Sequence, residues 1–496
     1  MLEISGYLEK YSLVHRWTIL AIFLLAFVFR LVPAVDTDFQ IDEIFTLAQL
    51  RTCSSPVDVF RYSMNNDNNH LLNSLYCYFI GTNEAWVYRI LSVLAGTATV
   101  VLIYLIGRRH YGPISAWISA LMTSLSYPMI YYSAEARGYA VAAFFSLLSF
   151  HFFLELQDGD ARVSRYAAFW SSCVLGVLSH YGFILVLAGY GIGECVVCLR
   201  SRFPRFRETL IRLMKMYLPV VIFLAIMYFF RIRSLEMFGG PVYDKLTVVG
   251  WFLSEVMNLP LRSSSWVMVT GALCTLALIT RGLWSMYRDK GSTIVTWFIA
   301  LLFGAPLFFI ATRPPVIYTR FFFMLLPFVF LAIGHAVADI FKERSSLLRP
   351  LLISVAILFL VMSIQRFSGL AARGKTNYAD VIRFILQDAD KNNTGEDIVV
   401  HGFKPGVIDL VIKSYQERIA GASRIKLDPD LSKEGASMEY FIFLRDTMEI
   451  RGLEPESTWL FRLAGKDYRR LLYRSSADML EADWILYRHV NTKNPS

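Results

Sequence analysis

Long apolar runs alternate with short polar loops over the first 366 residues of the chain. Most of these runs approach the roughly 20 residues that a helix needs to cross the hydrocarbon core of a bilayer. Because no water reaches that core, a spanning segment must satisfy its backbone hydrogen bonds internally, as a helix does. The pattern predicts about eleven membrane-spanning helices, at residues 17–35, 86–107, 113–133, 138–156, 166–180, 183–199, 214–231, 265–281, 292–312, 317–341 and 349–366.

Two apolar stretches, the first run and residues 246–261, differ from ordinary membrane spans in their context. The first run lacks a small-residue cleavage site, which favours a retained helix over a signal peptide. The stretch at 246–261 is interrupted by Glu255 and Pro260. It is therefore either an interfacial or a re-entrant segment.

Composition supports a membrane protein and excludes an ordinary soluble one. Of the 496 residues, 55% are hydrophobic and only 18% are charged, and the mean hydropathy is +0.45. The net charge of +9 does not indicate a nucleic-acid partner, because the basic residues lie in short loops between apolar runs. Basic loops of this kind interact with anionic lipid headgroups.

The distribution of Lys and Arg predicts the orientation in the membrane. Alternate loops are rich in basic residues, and such loops face the cytoplasm. This places the N-terminus inside. The segments outside are the loop 36–85, the turn 134–137, the hairpin 179–182, the segment 232–264, the turn 313–316 and the tail from 367. We therefore expect a multi-pass protein of the bacterial cytoplasmic (inner) membrane.

The tail has a different character from the rest of the chain. It is charged and contains the strand-like runs "DIVVHG" and "MEYFIFL", with the helix-like run "YADVIRFILQDAD" before them. This mixture predicts a small α/β extracytoplasmic domain at 367–496, following a membrane domain at 1–366. There is no internal repeat, which disfavours a transporter built from two similar halves.

Four carboxylates follow the first apolar run. Asp36 and Asp38 are either solvated or form the N-terminal cap of the helix that follows them. Asp42 and Glu43 lie in "QIDEIFTLAQL", whose spacing predicts an amphipathic helix in the membrane interface. A second amphipathic helix is predicted in "PVDVFRYSM" within the same 36–85 loop. This geometry would hold Asp42 and Glu43 near the depth of the lipid headgroups.

Three further segments carry polar side chains to the same predicted face. "YYSAEARGYA" contributes Glu135 and Arg137, where an arginine is either a snorkelling residue or a phosphate ligand. "LSHYGF" contributes His180 at a hairpin tip, as a hydrogen-bonding residue or a ligand. "ATRPPVIYTRFFF" carries Arg313, Tyr318 and Arg320. Four segments converging on one face favour a shared functional site.

With these segments in order, the chain resembles the GT-C superfamily of polyprenyl-phosphate-dependent glycosyltransferases. The resemblance lies in "DEIFT", "NNHLLNSLYCYFIG", "EAWVYRILSVLAG", "YLIGRRHYGPISAWISALMTSLSYPMIYYSAEARGYA", "LSHYGF" and "YTRFFFMLLPFVFLAIG". It spans roughly residues 36–340. Within the superfamily, the bacterial aminoarabinose transferases and protein O-mannosyltransferases are most similar.

The resemblance implies an all-α membrane fold and a sugar donor carried on polyprenyl phosphate. It implies that Asp42, with Glu43 beside it, acts as general base on an acceptor hydroxyl. The family's basic and aromatic features fall on Glu135, Arg137 and Tyr139, and on Tyr318 and Arg320. We expect the donor phosphate to be bound by Arg137, Tyr139, Arg313, Tyr318 and Arg320. Supporting contacts to substrate are expected from Glu135, His70, His180 and Tyr181. Some relatives use a divalent metal, for which this sequence shows no diagnostic ligand spacing.

The chemistry fits these residue types. Transfer of a sugar from a lipid phosphate needs a base within reach of the acceptor proton and a cation facing the leaving phosphate. A single displacement would invert the anomeric centre. The alternatives are a transporter or flippase of a lipid-linked sugar, and a surface-polysaccharide polymerase or ligase. The acceptor is an envelope glycan, a lipid such as lipopolysaccharide, or a protein.

Overall fold

The structure is a computed structural model. It describes residues 13–62, 70–82, 84–160, 162–200, 206–234, 242–260, 264–312, 314, 316–343, 348–392, 398–430, 439–444, 458, 460–463, 466–473 and 484–490. The chain forms two compact units. The first comprises residues 1–34, 55–81 and 86–366, and the second comprises 35–54, 82–85 and 367–496.

The helices that lie wholly or mainly in the first unit, taken in chain order, are α1 (Leu13–Asp36), α3 (Pro56–Tyr62), α4 (Leu71–Ile80), α5 (Ala85–Tyr111), α6 (Pro113–Leu125), α7 (Tyr127–Ser133), α8 (Tyr139–Gln157), α9 (Val163–Ser179), α10 (Ile184–Arg200), α11 (Phe206–Phe230), α12 (Lys245–Glu255), α13 (Ser265–Lys290), α14 (Ser292–Ile299), α15 (Ala305–Ala311), α16 (Leu326–Lys342) and α17 (Leu348–Arg373). A π-helical segment joins α14 to α15, and a 3-10 helix at Thr319–Leu325 leads into α16. The helix α2 (Ile41–Leu50) belongs to the second unit.

This architecture confirms a polytopic helical membrane protein. In the described part of the chain, nine helical segments are long and apolar enough to cross a membrane. The sequence predicted about eleven spans, and two of those differ in the structure. The expected span 113–133 is divided at Ser126, whose side chain caps α7 while Pro128 begins its first turn. The other, α9, has 17 residues, whereas α10 and α16, which are equally long, are extended by 3-10 turns to helical segments of 20 and 24 residues.

The exposed surface of the first unit is apolar where its helices are long. Leu24 on α1, Phe229 on α11, Leu273 on α13 and Ile357 on α17 are each at least half exposed. In water such a surface would be costly, whereas lipid tails solvate it without penalty. Arg30 on α1 is instead fully buried and donates to the backbone carbonyl oxygens of Ala26 and Thr123.

The second unit is built around a six-stranded sheet, as the strand-like runs of the tail predicted. Its strands are β1 (Ile398–Gly402), β2 (Ile425–Leu427), β3 (Glu439–Leu444), β4 (Leu460–Leu463), β5 (Lys466–Tyr473) and β6 (Trp484–His489). The spatial order is β2-β1-β3-β6-β5-β4, with β1 parallel to β2 and β3 and the remaining pairs antiparallel. Two amphipathic helices, α18 (Tyr378–Lys391) and α19 (Pro405–Gln416), complete the unit.

Residues 35–54 fold with this sheet domain. The helix α2 packs against α19, and Arg51 forms an ion pair with Glu417 at 2.8 Å. The carboxylate of Asp38 accepts a hydrogen bond from the backbone N–H of Ala379, in the first turn of α18, at 3.3 Å. Asp38 is therefore not the N-terminal cap of the helix that follows it, because Gln40 occupies that position at α2; it accepts instead from the first turn of α18.

Candidate functional site

A buried arginine and a buried histidine form the centre of the candidate site in the first unit. Arg137 is 4% exposed and His70 is 3% exposed. The Nε–H of Arg137 donates to Nε2 of His70 at 3.2 Å, and Nδ1 of His70 lies 3.2 Å from the carbonyl oxygen of Ser179. Because a carbonyl only accepts, we assign the ring proton to Nδ1, which leaves Nε2 as the acceptor for Arg137.

This histidine remains neutral at physiological pH. Burial holds the pKa of His70 well below its usual value of 6.5, and the neighbouring charge of Arg137 lowers it further. A protonated ring would present a hydrogen where Arg137 already donates one. The low pKa therefore preserves the contact that orients the guanidinium.

His180 lies beside this pair and is also neutral. Its ring centroid is 5.1 Å from that of His70, and its Nδ1 accepts a hydrogen bond from the backbone N–H of Gly182 at 2.8 Å. Burial, followed by the charges of Arg137 and Arg320, lowers the pKa of His180 to about 3. His180 thus caps the short 3-10 turn Tyr181–Phe183. Of the two roles that the sequence left open for it, hydrogen-bonding residue or ligand, the structure shows the first.

The turn that carries Arg137 is tightly enclosed. A Cβ atom added to Gly138 would lie 1.8 Å from the carbonyl oxygen of Ser179, so only glycine fits there. On either side, Ser92 donates to the carbonyl of Arg137 at 2.9 Å and Asn73 donates to the carbonyl of Ala136 at 2.5 Å. These contacts fix the backbone that presents the arginine.

Aromatic rings line the other side of Arg137. Its guanidinium carbon lies 4.9 Å from the ring centroid of Tyr139, in cation–π geometry. The Tyr139 ring also packs against His180 at 4.7 Å and Tyr132 at 4.8 Å. Tyr132 in turn contacts Phe323, from the 3-10 helix that precedes α16. The segments named from the sequence for Arg137, His180 and Arg320 thus meet in one place.

Arg320 contributes a second cation to this region. Its guanidinium carbon lies 4.5 Å from the ring centroid of Tyr318. Its positive charge lowers the pKa of both His70 and His180, which places it within electrostatic range of the Arg137 centre. Two arginines held among aromatic rings and neutral imidazoles form a site suited to an anion.

The remaining residues named from the sequence are distributed differently. Glu135 is buried, and its charge acts on Tyr132. Tyr181 is partly buried in the turn after His180, and its hydroxyl is within electrostatic range of Arg231. Arg313 lies outside the described residues.

Asp42 and Glu43 both lie in the first turn of α2, in the second unit, and their environments differ. Glu43 is fully buried, and its Oε2 accepts the backbone N–H of Gln40 at 2.9 Å, as in a capping box. Asp42 is partly exposed. One carboxylate thus has a clear structural task at the helix start, while the other is accessible to solvent.

Sequence reasoning did not identify several residues that build the site. Asn73, Ser92 and Gly138 act through backbone contacts, and no motif marks them. Glycine directly after Arg137 was the available signal, because a glycine between two functional residues often marks a close backbone approach.

The described residues contain no group of three or more His, Cys, Asp or Glu side chains placed to hold a metal ion. The two histidines of the candidate site, His70 and His180, each use a ring nitrogen in a backbone contact. His70 also accepts from Arg137 with its other nitrogen. Both ring nitrogens of His70 are thus engaged, so this side chain is not placed to ligate a metal ion.

Comparison with known proteins identifies the fold. No protein-family model matches the chain, and no curated protein is detectably similar in sequence. The crystal structure of apo ArnT from Cupriavidus metallidurans superposes with a TM-score of 0.54 at 13% identity, covering 96% of this chain and 98% of ArnT. ArnT bound to undecaprenyl phosphate gives a TM-score of 0.51 at 14% identity, covering 97% and 99%.

ArnT is an aminoarabinose transferase of the GT-C superfamily. Archaeal oligosaccharyltransferase AglB from Archaeoglobus fulgidus, in complex with an inhibitory peptide and a dolichol-phosphate, gives a TM-score of 0.49 at 12% identity, covering 81% of this chain and 64% of AglB. The near-complete coverage of ArnT confirms the GT-C fold that the ordered motifs indicated. At these identities the similarity concerns the fold alone.

Proposed function

We propose that this protein is a membrane glycosyltransferase that moves a sugar from a polyprenyl-phosphate donor to an acceptor at the outer face of the bacterial cytoplasmic membrane. The observation that carries this proposal is the buried Arg137, whose Nε–H is held by a neutral His70. It lies in a fold shared with a transferase crystallised with undecaprenyl phosphate. A cation fixed in this way is suited to the phosphate of such a donor.

Arg137 and Arg320 would bind the donor phosphate, with Tyr139 and Tyr318 supporting them by cation–π contacts. Negative charge grows on the phosphate as the bond to the sugar breaks. Prearranged guanidinium groups in a site of low dielectric stabilise that charge without reorganising. Since the interaction strengthens in the transition state, it would raise turnover as well as affinity.

Asp42 would act as the general base, as the GT-C resemblance implies. It would take the proton of an acceptor hydroxyl while that oxygen attacks the anomeric carbon and the polyprenyl phosphate leaves with the bonding electrons. This single displacement inverts the anomeric centre. The bond from Gln40 to Glu43 favours Asp42 for this role, because Glu43 is already used in starting α2.

The basic loops support an extracytoplasmic position for the site and the sheet domain. The donor sugar would be a hexose or a pentose, and the acceptor an envelope glycan, a lipid or a protein. Lipopolysaccharide modification is one such reaction.

Radiolabelled donors test the proposal directly. The purified protein, in lipid nanodiscs, would be incubated with a panel of undecaprenyl-phosphate sugars and with membrane lipids, glycans and peptides as acceptors. We expect labelled product and release of undecaprenyl phosphate. Movement of labelled lipid between the leaflets of vesicles, without product, would instead identify a flippase and overturn the proposal.

A further inference from the structure

A second buried polar cluster lies in the first unit, around the stretch 246–261 that Glu255 and Pro260 interrupt. Glu255 ends α12 and is only 3% exposed. One carboxylate oxygen interacts with the hydroxyl of Thr319. Its Oε1 is buried and has no hydrogen-bond partner among the described residues. An acceptor of this kind is costly unless something else satisfies it.

Arg366, on α17, provides the complementary donors. It is 5% exposed, and its guanidinium carbon lies 3.7 Å from the ring centroid of Tyr127. Nη1 donates to the carbonyl oxygen of Leu259 at 3.1 Å. Nε and Nη2 are buried and, within the described part of the chain, have no hydrogen-bond partner. The guanidinium is thus fixed in place with part of its donor capacity unused.

The backbone beside these two side chains is rigidly held in an uncommon conformation. Asn258 has φ +58°, a left-handed value that few residues other than glycine adopt. Its side chain donates to Ser363 at 2.6 Å and accepts the backbone N–H of Tyr127 at 2.7 Å. Left-handed residues that are locked by several contacts are concentrated at binding sites.

The cluster adjoins the candidate donor site. Thr319, which contacts Glu255, directly precedes Arg320 in the chain. Tyr132, whose ring packs on Tyr139, is within electrostatic range of both Glu255 and Arg320. Glu255 therefore lies near the segment that carries Arg320 and near the aromatic rings beside Arg137.

The chemistry of the unused atoms selects a neutral ligand that both donates and accepts. A hydroxyl group can donate to Oε1 of Glu255 and accept from a guanidinium N–H of Arg366. A phosphate would bring a second anion against the carboxylate. Burial raises the pKa of Glu255 to about 7 in spite of the opposing charge of Arg366, so the site already disfavours net negative charge.

We propose that Glu255 and Arg366 form a subsite that binds hydroxyl groups of a saccharide. The inference rests on the proposed glycosyltransferase function and assigns to this pair the recognition of the sugar. Arg137 and Arg320 keep the separate task of holding the phosphate. The saccharide is either the sugar of the donor or that of an acceptor glycan, and the test distinguishes the two.

Binding measurements on the purified full-length protein separate sugar from phosphate recognition. The probes are undecaprenyl phosphate, a panel of undecaprenyl-phosphate sugars, and free methyl glycosides. If the subsite serves the donor, Glu255→Gln and Arg366→Lys weaken binding of the preferred undecaprenyl-phosphate sugar by about tenfold or more. Their affinity for undecaprenyl phosphate alone stays within about twofold of wild type. If it serves the acceptor, the loss occurs with the methyl glycosides instead.

The control is Glu194→Gln, because Glu194 is also a buried carboxylate but is already bonded to Arg212 and Gln157. Glu194→Gln should lower thermal stability without changing the affinity for the undecaprenyl-phosphate sugars or for the methyl glycosides. Variants that fold and bind every probe as wild type does overturn the subsite. So does a wild-type protein that binds the sugar-bearing and sugar-free probes equally and binds no methyl glycoside. Failure of wild type to bind undecaprenyl phosphate would instead count against the proposed function.

Discussion

Arg137 donates its Nε–H to Nε2 of His70, a ring that burial keeps neutral. The second ring nitrogen of His70 is directed at the carbonyl of Ser179, so the imidazole connects the arginine to the end of α9. The arginine is therefore oriented by a chain of hydrogen bonds before any ligand arrives. Orientation in advance lowers the entropic cost of binding an anion.

Replacing His70 should weaken phosphate binding indirectly, because His70 orients Arg137 and is not itself proposed to contact the phosphate. His70→Ala removes the acceptor for Arg137 and should raise the Kd for undecaprenyl phosphate about tenfold, as is typical for a lost hydrogen bond to a charged group. His70→Gln restores an acceptor and a donor and should recover part of the loss. Wild-type binding should show no histidine inflection between about pH 6 and 8, because the pKa of His70 lies lower. Equal Kd values for wild type and His70→Ala would contradict a positioning role.

Removing the guanidinium itself should affect both binding and turnover. Arg137→Ala should raise the Kd for undecaprenyl phosphate by about 10- to 100-fold and lower kcat, because the charge on the leaving group is then unsupported. Arg137→Lys should recover activity only partly, since the planar fork is lost. The control is Arg233→Ala, because Arg233 is exposed in the same unit. Normal turnover in Arg137→Ala would remove this residue from the site.

Replacing Asp42 by its amide should mainly lower turnover, whereas replacing Glu43 by its amide should mainly lower stability. Asp42→Asn keeps the shape and removes the basicity, so turnover under saturating donor should fall by about 10²- to 10⁴-fold while thermal stability is retained. Glu43→Gln weakens the bond to Gln40 and should cost up to about 1 kcal/mol of stability. A nearly normal Asp42→Asn combined with an inactive Glu43→Gln would transfer the role of base to Glu43.

Gly138 should tolerate no side chain. In Gly138→Ala the added Cβ would lie 1.8 Å from the Ser179 carbonyl oxygen, which must then move away from His70. Overpacking of this kind costs about 1–3 kcal/mol, and undecaprenyl phosphate binding should weaken as well. The matched control is Gly191→Ala on α10, where nothing lies within 4 Å of the added atom and stability should hold or rise. A Gly138→Ala variant as stable as this control would show that the Ser179 carbonyl does not constrain the turn that carries Arg137.

The sheet domain should lose stability on the acid side. Burial alone would raise the pKa of Glu439, but hydrogen bonds from His401 and Lys466 outweigh it and hold the pKa below its ordinary value of 4.5. The unfolded chain then binds the proton more readily than the folded one. The stabilisation is present above about pH 4.5 and is lost as the pH falls through the folded pKa. The difference in unfolding temperature between wild type and Glu439→Gln should be largest near pH 7 and should shrink in acid; a constant difference would contradict this account.

Periodicity and composition predicted the helical membrane fold and three elements of the tail, β1, β3 and α18, because burial in lipid and pairing in a sheet leave direct marks on residue spacing. They did not predict which face of α2 is buried. Ile44 and Phe45 both belong to the apolar side of this helix, yet Ile44 is buried and Phe45 is 37% exposed. The partner of α2 is α19, more than 350 residues away, and no local pattern encodes it.

The candidate site was predictable only where a polar or charged side chain stands out against apolar sequence. Arg137 and His180 are visible for that reason. His70 and Arg137 are 67 residues apart, and their contact depends on how α4 packs near the turn before α8. Glu255 was visible as an interruption of an apolar stretch, but its pairing with Arg366 depends on α17, which follows much later in the chain.

Because the chain is synthesised from its N-terminus, residues 35–54 exist long before the sheet domain with which they fold. Phe39 accepts a hydrogen bond from Thr376, 337 residues later, and its ring lies 4.1 Å from the guanidinium of Arg418. These contacts form only after the ribosome has translated nearly the whole chain. The segment that carries Asp42 must therefore wait, already made, while every apolar helix is inserted. A chain released early would be embedded in the membrane with its proposed proton acceptor still lacking a fixed position.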